Sequence, residues 1–467
     1  MFSRTRTVHM VGIGGTGMSG LAALLAAEGH RVSGSDMKRG PAGEELASRG
    51  IPVAEGHAAE NLPPGADLVV TSAAVPPDNP EVEEADRRAL PVVKYAKALG
   101  GLMAGRRGVA VSGCHGKTTT TGMLAFLMDR CGLDPSVVLG GSLPVFGGNW
   151  KHGRGEYLVA EACEYDRSFL NLTPEIAVVN NIDSDHLDYY RDLQDITGAF
   201  LEFARLLPEH GLLVVNNEHE TMFNRDAGVK ARVETTGLRN HADWTAVDRR
   251  TEGGLAKFRV LCRGEDRGTF ALRIPGLHNT LNALGVIAVA SHLGLEGDVV
   301  RQALRGFPGV DRRLTVRYRR GGISVVDDYA HHPTEVQAVL RTLREDSATR
   351  RVLAVFQPHQ ASRLRLLRRE MAASLGTADR ILVPDVFFAR DSAEDRERVH
   401  SLDLVKTLNN LGADAVYEPT FAAIVERLLA DLRPGDVVVT MGAGTVTEVS
   451  HDLAGRLEML GRQSIPA

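Results

Sequence analysis

The chain has 467 residues, too many for one hydrophobic core, so two to four domains are expected. Its 43% hydrophobic and 24% charged residues are those of a soluble globular protein, and a net charge of −5 excludes a general basic surface for nucleic acid. Arg4 and Arg6 precede no apolar signal core, and no run of roughly 18 apolar residues occurs, so neither export nor membrane insertion is expected. The scattered cysteines Cys114, Cys131, Cys163 and Cys262 form no Cys-x-x-Cys pair, which suits a reduced, cytoplasmic protein.

Val8 to Ile13 reads as a short strand, Gly12-Ile13-Gly14-Gly15-Thr16-Gly17 as a glycine turn, and Met18 to Ala27 as an apolar helix. A second strand, Arg31 to Ser35, ends in Asp36. This spacing sets a pyrophosphate on a helix N-terminus and an acid on a ribose hydroxyl. A nicotinamide cofactor is the default occupant, and any diphosphate-linked nucleotide fits the same geometry. Asp67 to Ser72 is a further strand, with Thr71 and Ser72 at its carboxyl end either facing a ligand or forming a turn. Gly100 to Arg107 reads as a linker.

Val109 to Val111 is a buried strand running into Gly113 and Gly116, then Lys117 and Thr118, then an apolar helix around Met123 to Met128. Glycines let backbone N–H groups approach phosphates, and the helix start adds a positive dipole. Lys117 would reach the β- and γ-phosphates of ATP, and the Thr118 hydroxyl would ligate Mg²⁺. Val111 stands where a full Walker A motif has glycine, so only the shorter Gly-x-x-Gly-Lys-Thr half is present. The strand Tyr157 to Ala160 leads into Glu161-Ala162-Cys163-Glu164-Tyr165-Asp166, whose acids are placed to hold the metal ion. Ile176 to Val179 leads into Asn180-Asn181-Ile182-Asp183-Ser184-Asp185-His186-Leu187-Asp188, either a second metal site or a solvated acidic loop.

Residues 231–274 read as an antiparallel addition to the sheet, and His278 and Asn279 open a helix over 280–293. Beyond 313, Ile323 to Val326 leads into Asp327-Asp328-Tyr329-Ala330-His331-His332, with a helix starting near Pro333. The two histidines either serve a site or cap that helix. Val352 to Phe356, Arg380 to Val383 and Asp436 to Thr440 are further strands. Strands alternating with helices predict α/β layers with ligand groups at the carboxyl ends and substrates gathered between domains.

Taken in order, GIGGTGMSG at 12–20, GCHGKTTT at 113–120, NIDSDHLD at 181–188, PGLHNTLNA at 275–283, DDYAHHPTE at 327–335 and GAG at 442–444 resemble the Mur ligase superfamily. Within it the pattern is most similar to the UDP-N-acetylmuramate–L-alanine ligases and their tripeptide-recycling relatives. The resemblance implies an α/β fold of three domains. These are a Rossmann-like UDP-sugar-binding domain (1–107), a central P-loop-type ATPase domain with a mixed sheet (108–312), and a Rossmann-like amino-acid-binding domain (313–467). It implies ATP-driven joining of L-alanine to UDP-N-acetylmuramate through an acyl phosphate, by a cytoplasmic monomer or homodimer that needs Mg²⁺. The alternatives are the recycling ligase and, from the glycine turn alone, an NAD-dependent dehydrogenase.

Carried over by motif, Gly113, Cys114, His115, Gly116, Lys117, Thr118 and Thr119 bind ATP, with His278 and Asn279 at the adenine and Arg313 on phosphate charge. Thr118, Glu161 and His186 hold the metal. Gly14, Gly15, Thr16, Gly17, Asp36, Thr71 and Ser72 bind UDP, while Asp328, His331 and Arg363 serve the amino acid and acyl phosphate. Lys117, His186, Arg313 and His332 are the catalytic candidates. The chain departs from the pattern at Cys163, where the family has Asp, and at Gln360 and Ala361, where it has Arg and Tyr. Arg191 to Arg205 contains no lysine, so no carbamylated lysine is expected there.

Overall fold

The computed structural model describes residues 2, 6–186, 189–238, 241–346, 348–389, 391 and 393–463. Leu187 and Asp188, the end of the acidic run, and Arg4 lie outside the described residues. Among the described residues three sheets carry the chain. The first is parallel throughout, in the order β3 (Val53–Glu55), β2 (Arg31–Asp36), β1 (Thr7–Val11), β4 (Leu68–Thr71), β5 (Val92–Lys94). Parallel strands covered on both faces need near-continuous apolar runs, which β1 and β4 supply with almost wholly buried residues.

The second sheet has ten strands: β6 (Arg107–Ser112), β7 (Ser136–Leu143), β8 (Gly148–Lys151), β9 (Tyr157–Glu161), β10 (Pro174–Val179), β11 (Leu212–Asn216), β12 (Arg232–Gly237), β13 (Trp244–Glu252), β14 (Leu255–Cys262) and β15 (Glu265–Leu272). Their order is 15-14-13-12-11-10-6-9-7-8, so β6 lies between β10 and β9 and delivers its loop to the middle of the carboxyl edge. The expectation for 231–274 needs correction at its start. β12 pairs parallel to β11, because the crossover 217–231 is long enough to return the chain in the same direction, and antiparallel pairing begins only with β13 and β14.

Gly100 to Arg107 is not a linker. Gly100 lies inside the helix Tyr95–Met103, where an added Cβ would fall 1.9 Å from the Asn171 carbonyl oxygen, and Arg107 already belongs to β6. The glycine serves close packing rather than flexibility. The helix expected over 280–293 runs from Leu277 to His292 and takes His278 and Asn279 into its first turn.

The third sheet comprises β16 (Thr315–Arg320), β17 (Ile323–Asp328), β18 (Arg351–Phe356), β19 (Arg380–Val383), β20 (Ala415–Tyr417) and β21 (Asp436–Met441), in the order 16-17-21-18-19-20. Only β16 runs antiparallel to its neighbour. The chain divides into two compact units. One holds the first two sheets (Met1–Arg273 with Asn279–Val310), and the other holds the third (Ile274–His278 with Asp311–Ala467). Among the described residues no helix is long and apolar enough to cross a membrane.

Candidate active site

The strand β6 ends at Ser112 and the helix Lys117–Arg130 begins five residues on. Gly116 sits at the N-cap with φ +78°, a left-handed conformation that glycine adopts without strain, and no side chain caps the helix there. Lys117 Nζ donates to the Gly113 carbonyl at 2.6 Å and to Glu164 Oε1 at 2.9 Å, with Glu164 Oε2 2.8 Å away. Burial opposes the charge on Lys117, but Glu164 beside it outweighs burial and holds the lysine above its ordinary pKa. Glu164 is itself pushed up by burial, and Lys117 and His186 together bring it below the usual glutamate value. Both groups are therefore charged at neutral pH.

The Thr118 hydroxyl donates to Glu161 Oε2 at 3.2 Å, and Glu161 also accepts from the Gly140 N–H. His186, with φ +56°, places Nε2 3.2 Å from Glu164 Oε1. The three residues expected at the metal thus fall into two pairs, Thr118 with Glu161 and His186 with Glu164. Residues of the polar run after β10 reach the loop that follows β6. Asn181 Oδ1 accepts from the His115 N–H at 2.8 Å, and Asn180 and Asn181 each donate to the His115 carbonyl. Asp183 Oδ2 lies 2.9 Å from His115 Nε2, and Cys114 Sγ exchanges hydrogen bonds with the Asp183 backbone. These contacts brace Cys114 and His115, in the loop between β6 and the helix Lys117–Arg130. Thr119 is buried in the first helical turn behind it.

At the carboxyl edge of the first sheet, Gly12 to Gly17 form the expected turn, and the helix starts at Thr16 behind Gly15. Asp36 Oδ2 accepts from the Gly14 N–H at 2.9 Å, so this acid fastens the turn with one of its oxygens. Ser72 Oγ accepts from the Ala74 N–H at 3.1 Å, the turn-forming alternative, and Thr71 is buried at the end of β4.

In the C-terminal unit, two guanidinium groups lie over the Tyr329 ring, Arg312 at 4.9 Å and Arg313 at 5.1 Å from its centre. Arg312 donates to the carbonyls of Gly442 and Gly444, which is the use of the GAG run, while Arg313 lies near His278 and Asp328. Burial, then Arg313, lowers the His278 pKa to about 4, so its ring is neutral at physiological pH. Asn279 is buried and accepts from Asn282. His332 is the N-cap of the helix Pro333–Arg344, in a capping box with Glu335. His331 Nδ1 donates to the Tyr329 carbonyl at 3.0 Å, and its ring meets His359 edge-on. Arg363 reaches His359 Nδ1 at 3.5 Å.

Asp328 accepts from the Leu314 and Ala330 N–H groups, both at 2.7 Å, and clamps the segment after Arg313 to β17. Burial raises its pKa from 3.8 to about 6, with Arg313 and the two N–H groups opposing. At this group the folded chain binds more protons than the unfolded one between these values, so the contribution of Asp328 to stability falls as pH rises from about 4 to about 6. Asp328→Asn is expected to abolish that slope and to cost about 1 kcal/mol at its acidic end through the weakened acceptor pair. Thermal unfolding of both proteins across this pH range checks it, and an unchanged slope in the variant would refute it.

Three family models match in succession: the Mur ligase catalytic domain over residues 7–107, the Mur ligase middle domain over 111–290, and the Mur ligase glutamate ligase domain over 312–444. The chain is 42% identical over 457 residues to the UDP-N-acetylmuramate–L-alanine ligase of Anaeromyxobacter sp. (strain Fw109-5), covering 98% of this chain and 99% of that one. The chain belongs to the Mur ligase family. Among solved structures it is similar to the UDP-N-acetylmuramate–alanine ligase MurC of Thermotoga maritima (29% identity, TM-score 0.82, 97% and 99% of the two chains). It is also similar to a murein peptide ligase of Psychrobacter arcticus (26% identity, TM-score 0.70, 99% and 100%).

Several residues of this Mur ligase escaped the sequence reading. Glu164 was visible as an acid after β9, but not as the counter-ion of Lys117. Asn180 and Asn181 were visible only as polar residues at a strand end. Asp391 Oδ1 accepts from the Ala361 N–H at 2.8 Å and starts the helix Ala361–Leu375. The departures from the Mur ligase pattern also resolve. Ala361 is fully buried, and Gln360 takes φ +65° and donates its N–H to the Phe387 carbonyl. Cys163 is exposed and sits beside Glu164.

Proposed function

We propose that this chain is an ATP-dependent ligase that joins L-alanine to the carboxylate of UDP-N-acetylmuramate, a cytoplasmic step in peptidoglycan precursor synthesis. The observation that carries this is the phosphate loop with Lys117 held by Glu164 and Thr118 held by Glu161, in a chain 42% identical end to end to a ligase of that name. Residues 1–107 would take the UDP sugar, 108–312 ATP, and 313–467 the amino acid.

A carboxylate is a poor acyl donor, and phosphoryl transfer from ATP converts its oxygen into a leaving group. Lys117 is a half-buried, charged donor on the loop where the γ-phosphate would lie, so it would stabilise charge on the transferring group. The L-alanine amine then attacks the carbonyl carbon and gives up a proton to solvent, and phosphate departs with the C–O bond electrons, leaving the amide, ADP and phosphate. Arg313, resting on Tyr329, is the C-terminal unit's candidate for neutralising phosphate.

Thr118 and Glu161 are hard oxygen donors beside the phosphate loop, the set that Mg²⁺ takes together with substrate phosphates, so these residues fit that ion. Bound there, it would neutralise phosphate charge.

Phosphate release from ATP with Mg²⁺ and UDP-N-acetylmuramate tests the reading. Stimulation by L-alanine, with the amide product detected by mass, is the expected result. Stimulation only by the tripeptide L-Ala-γ-D-Glu-meso-diaminopimelate would move the chain to the recycling reaction.

A further inference from the structure

Tyr95 opens the helix Tyr95–Met103 directly after β5, at the carboxyl edge of the first sheet. Its ring lies against Gly17 of the glycine turn, where an added Cβ would meet Cζ at 2.8 Å and Oη at 2.9 Å. Glu161, the last residue of β9, and Cys163 just after it lie near enough to act on the charge of the same phenol. Lys94, the neighbour of Tyr95, pairs with Asp166 of the segment after β9 at 2.7 Å. The glycine turn is tied to the second sheet by further contacts. Asn149 of β8 donates to the Thr16 carbonyl and to Ser19 Oγ, and at the far end of the same helix Arg106 pairs with Glu28 at 2.7 Å. One phenol thus touches the turn assigned to the UDP sugar and lies near the carboxylate assigned to the phosphate-transfer centre. Burial, then Glu161, raises its pKa, so it keeps its proton at any working pH. Among the described residues its hydroxyl makes no hydrogen bond.

We propose that Tyr95 is a substrate-binding residue whose hydroxyl donates to an anionic oxygen of the nucleotide sugar, either of the diphosphate or of the carboxylate that accepts phosphate. This rests on the ligase reading above. The wild-type protein is therefore assayed first with UDP-N-acetylmuramate, ATP and L-alanine, and silence there would fail that reading whatever Tyr95 does.

In an active enzyme, Tyr95→Phe is expected to raise KM for the nucleotide sugar, or lower kcat, by about ten- to a hundredfold, with KM for ATP unchanged. Gly17→Ala, which displaces the ring, is expected to give the same pattern. Titration with UDP separates the two oxygens. Weaker UDP binding by Tyr95→Phe assigns the diphosphate, and unchanged UDP binding with impaired turnover assigns the carboxylate. Wild-type constants for the nucleotide sugar in Tyr95→Phe would overturn the proposal. So would an equal rise in KM for ATP, which would mark a merely structural role.

Discussion

Lys117→Ala is expected to lower ATP turnover by about 10³-fold and, separately, to destabilise the protein by about 3–5 kcal/mol. The two losses have different causes. Turnover falls because a charged donor on the phosphate loop is gone. Stability falls because Glu164, 1% exposed, loses the ammonium that lies 2.8 Å away and keeps it ionised. The substitution Glu164→Gln on top of Lys117→Ala removes the stranded charge, so the double variant is expected to recover much of the lost stability and none of the turnover. Phosphate release and thermal unfolding of both variants measure this. A single variant that turns over ATP within tenfold of wild type would refute the role of Lys117, and a double variant no more stable than the single would refute the buried pair.

This contrast also marks what the sequence discloses. Lys117 and Thr118 are legible because a phosphate loop is a local device, with strand, glycines, cation and helix all within some twenty residues. The fold is legible for a similar reason, since buried parallel strands are short apolar runs separated by helices. Glu164 lies 47 positions from Lys117, and only the pairing of β6 with β9 brings them together. Asn180, Asn181 and Asp183 reach the loop because β10 lies on the other side of β6. The alternatives at His332 and Ser72 were open in the sequence because capping and ligand binding call for the same polar residues at the same strand ends. Gly100 shows the converse error, since a glycine chosen for close approach is indistinguishable by composition from one chosen for freedom.

Glu81 was invisible in the sequence, an acid in the first turn of the helix Pro80–Arg87, yet it is fully buried. Its Oε2 accepts from Ser35 at 2.6 Å and lies 2.9 Å from His9 Nε2, while Oε1 accepts from Asn61 at 2.9 Å and from the Ala58 N–H at 3.2 Å. His57 Nδ1 is 3.3 Å from Oε1. Burial alone would raise the pKa, but the bonds from His9, Ser35 and Asn61 bring it down to about 2. Its folded value lies below the ordinary 4.5, so the stability it contributes is complete above about pH 4.5 and is lost as pH falls towards 2.

Glu81→Ala leaves those donors buried without their acceptor, and about 3–5 kcal/mol of stability is expected to go with it. Glu81→Gln keeps the shape and part of the bonding, so it is expected to lose less and to flatten the acid limb. Urea unfolding followed by tryptophan fluorescence, to which Trp150 beneath Arg49 contributes, measures both. The functional consequence follows from position. Ser35 precedes Asp36, the residue that fastens Gly14, and His57 to Asn61 follow β3, so one carboxylate secures the carboxyl ends of two strands at the proposed UDP edge. Glu81→Gln is accordingly expected to weaken UDP binding while leaving ATP binding intact. Equal weakening of both would show that Glu81 supports the whole unit, and unchanged UDP binding would show that the edge holds its shape without the charge.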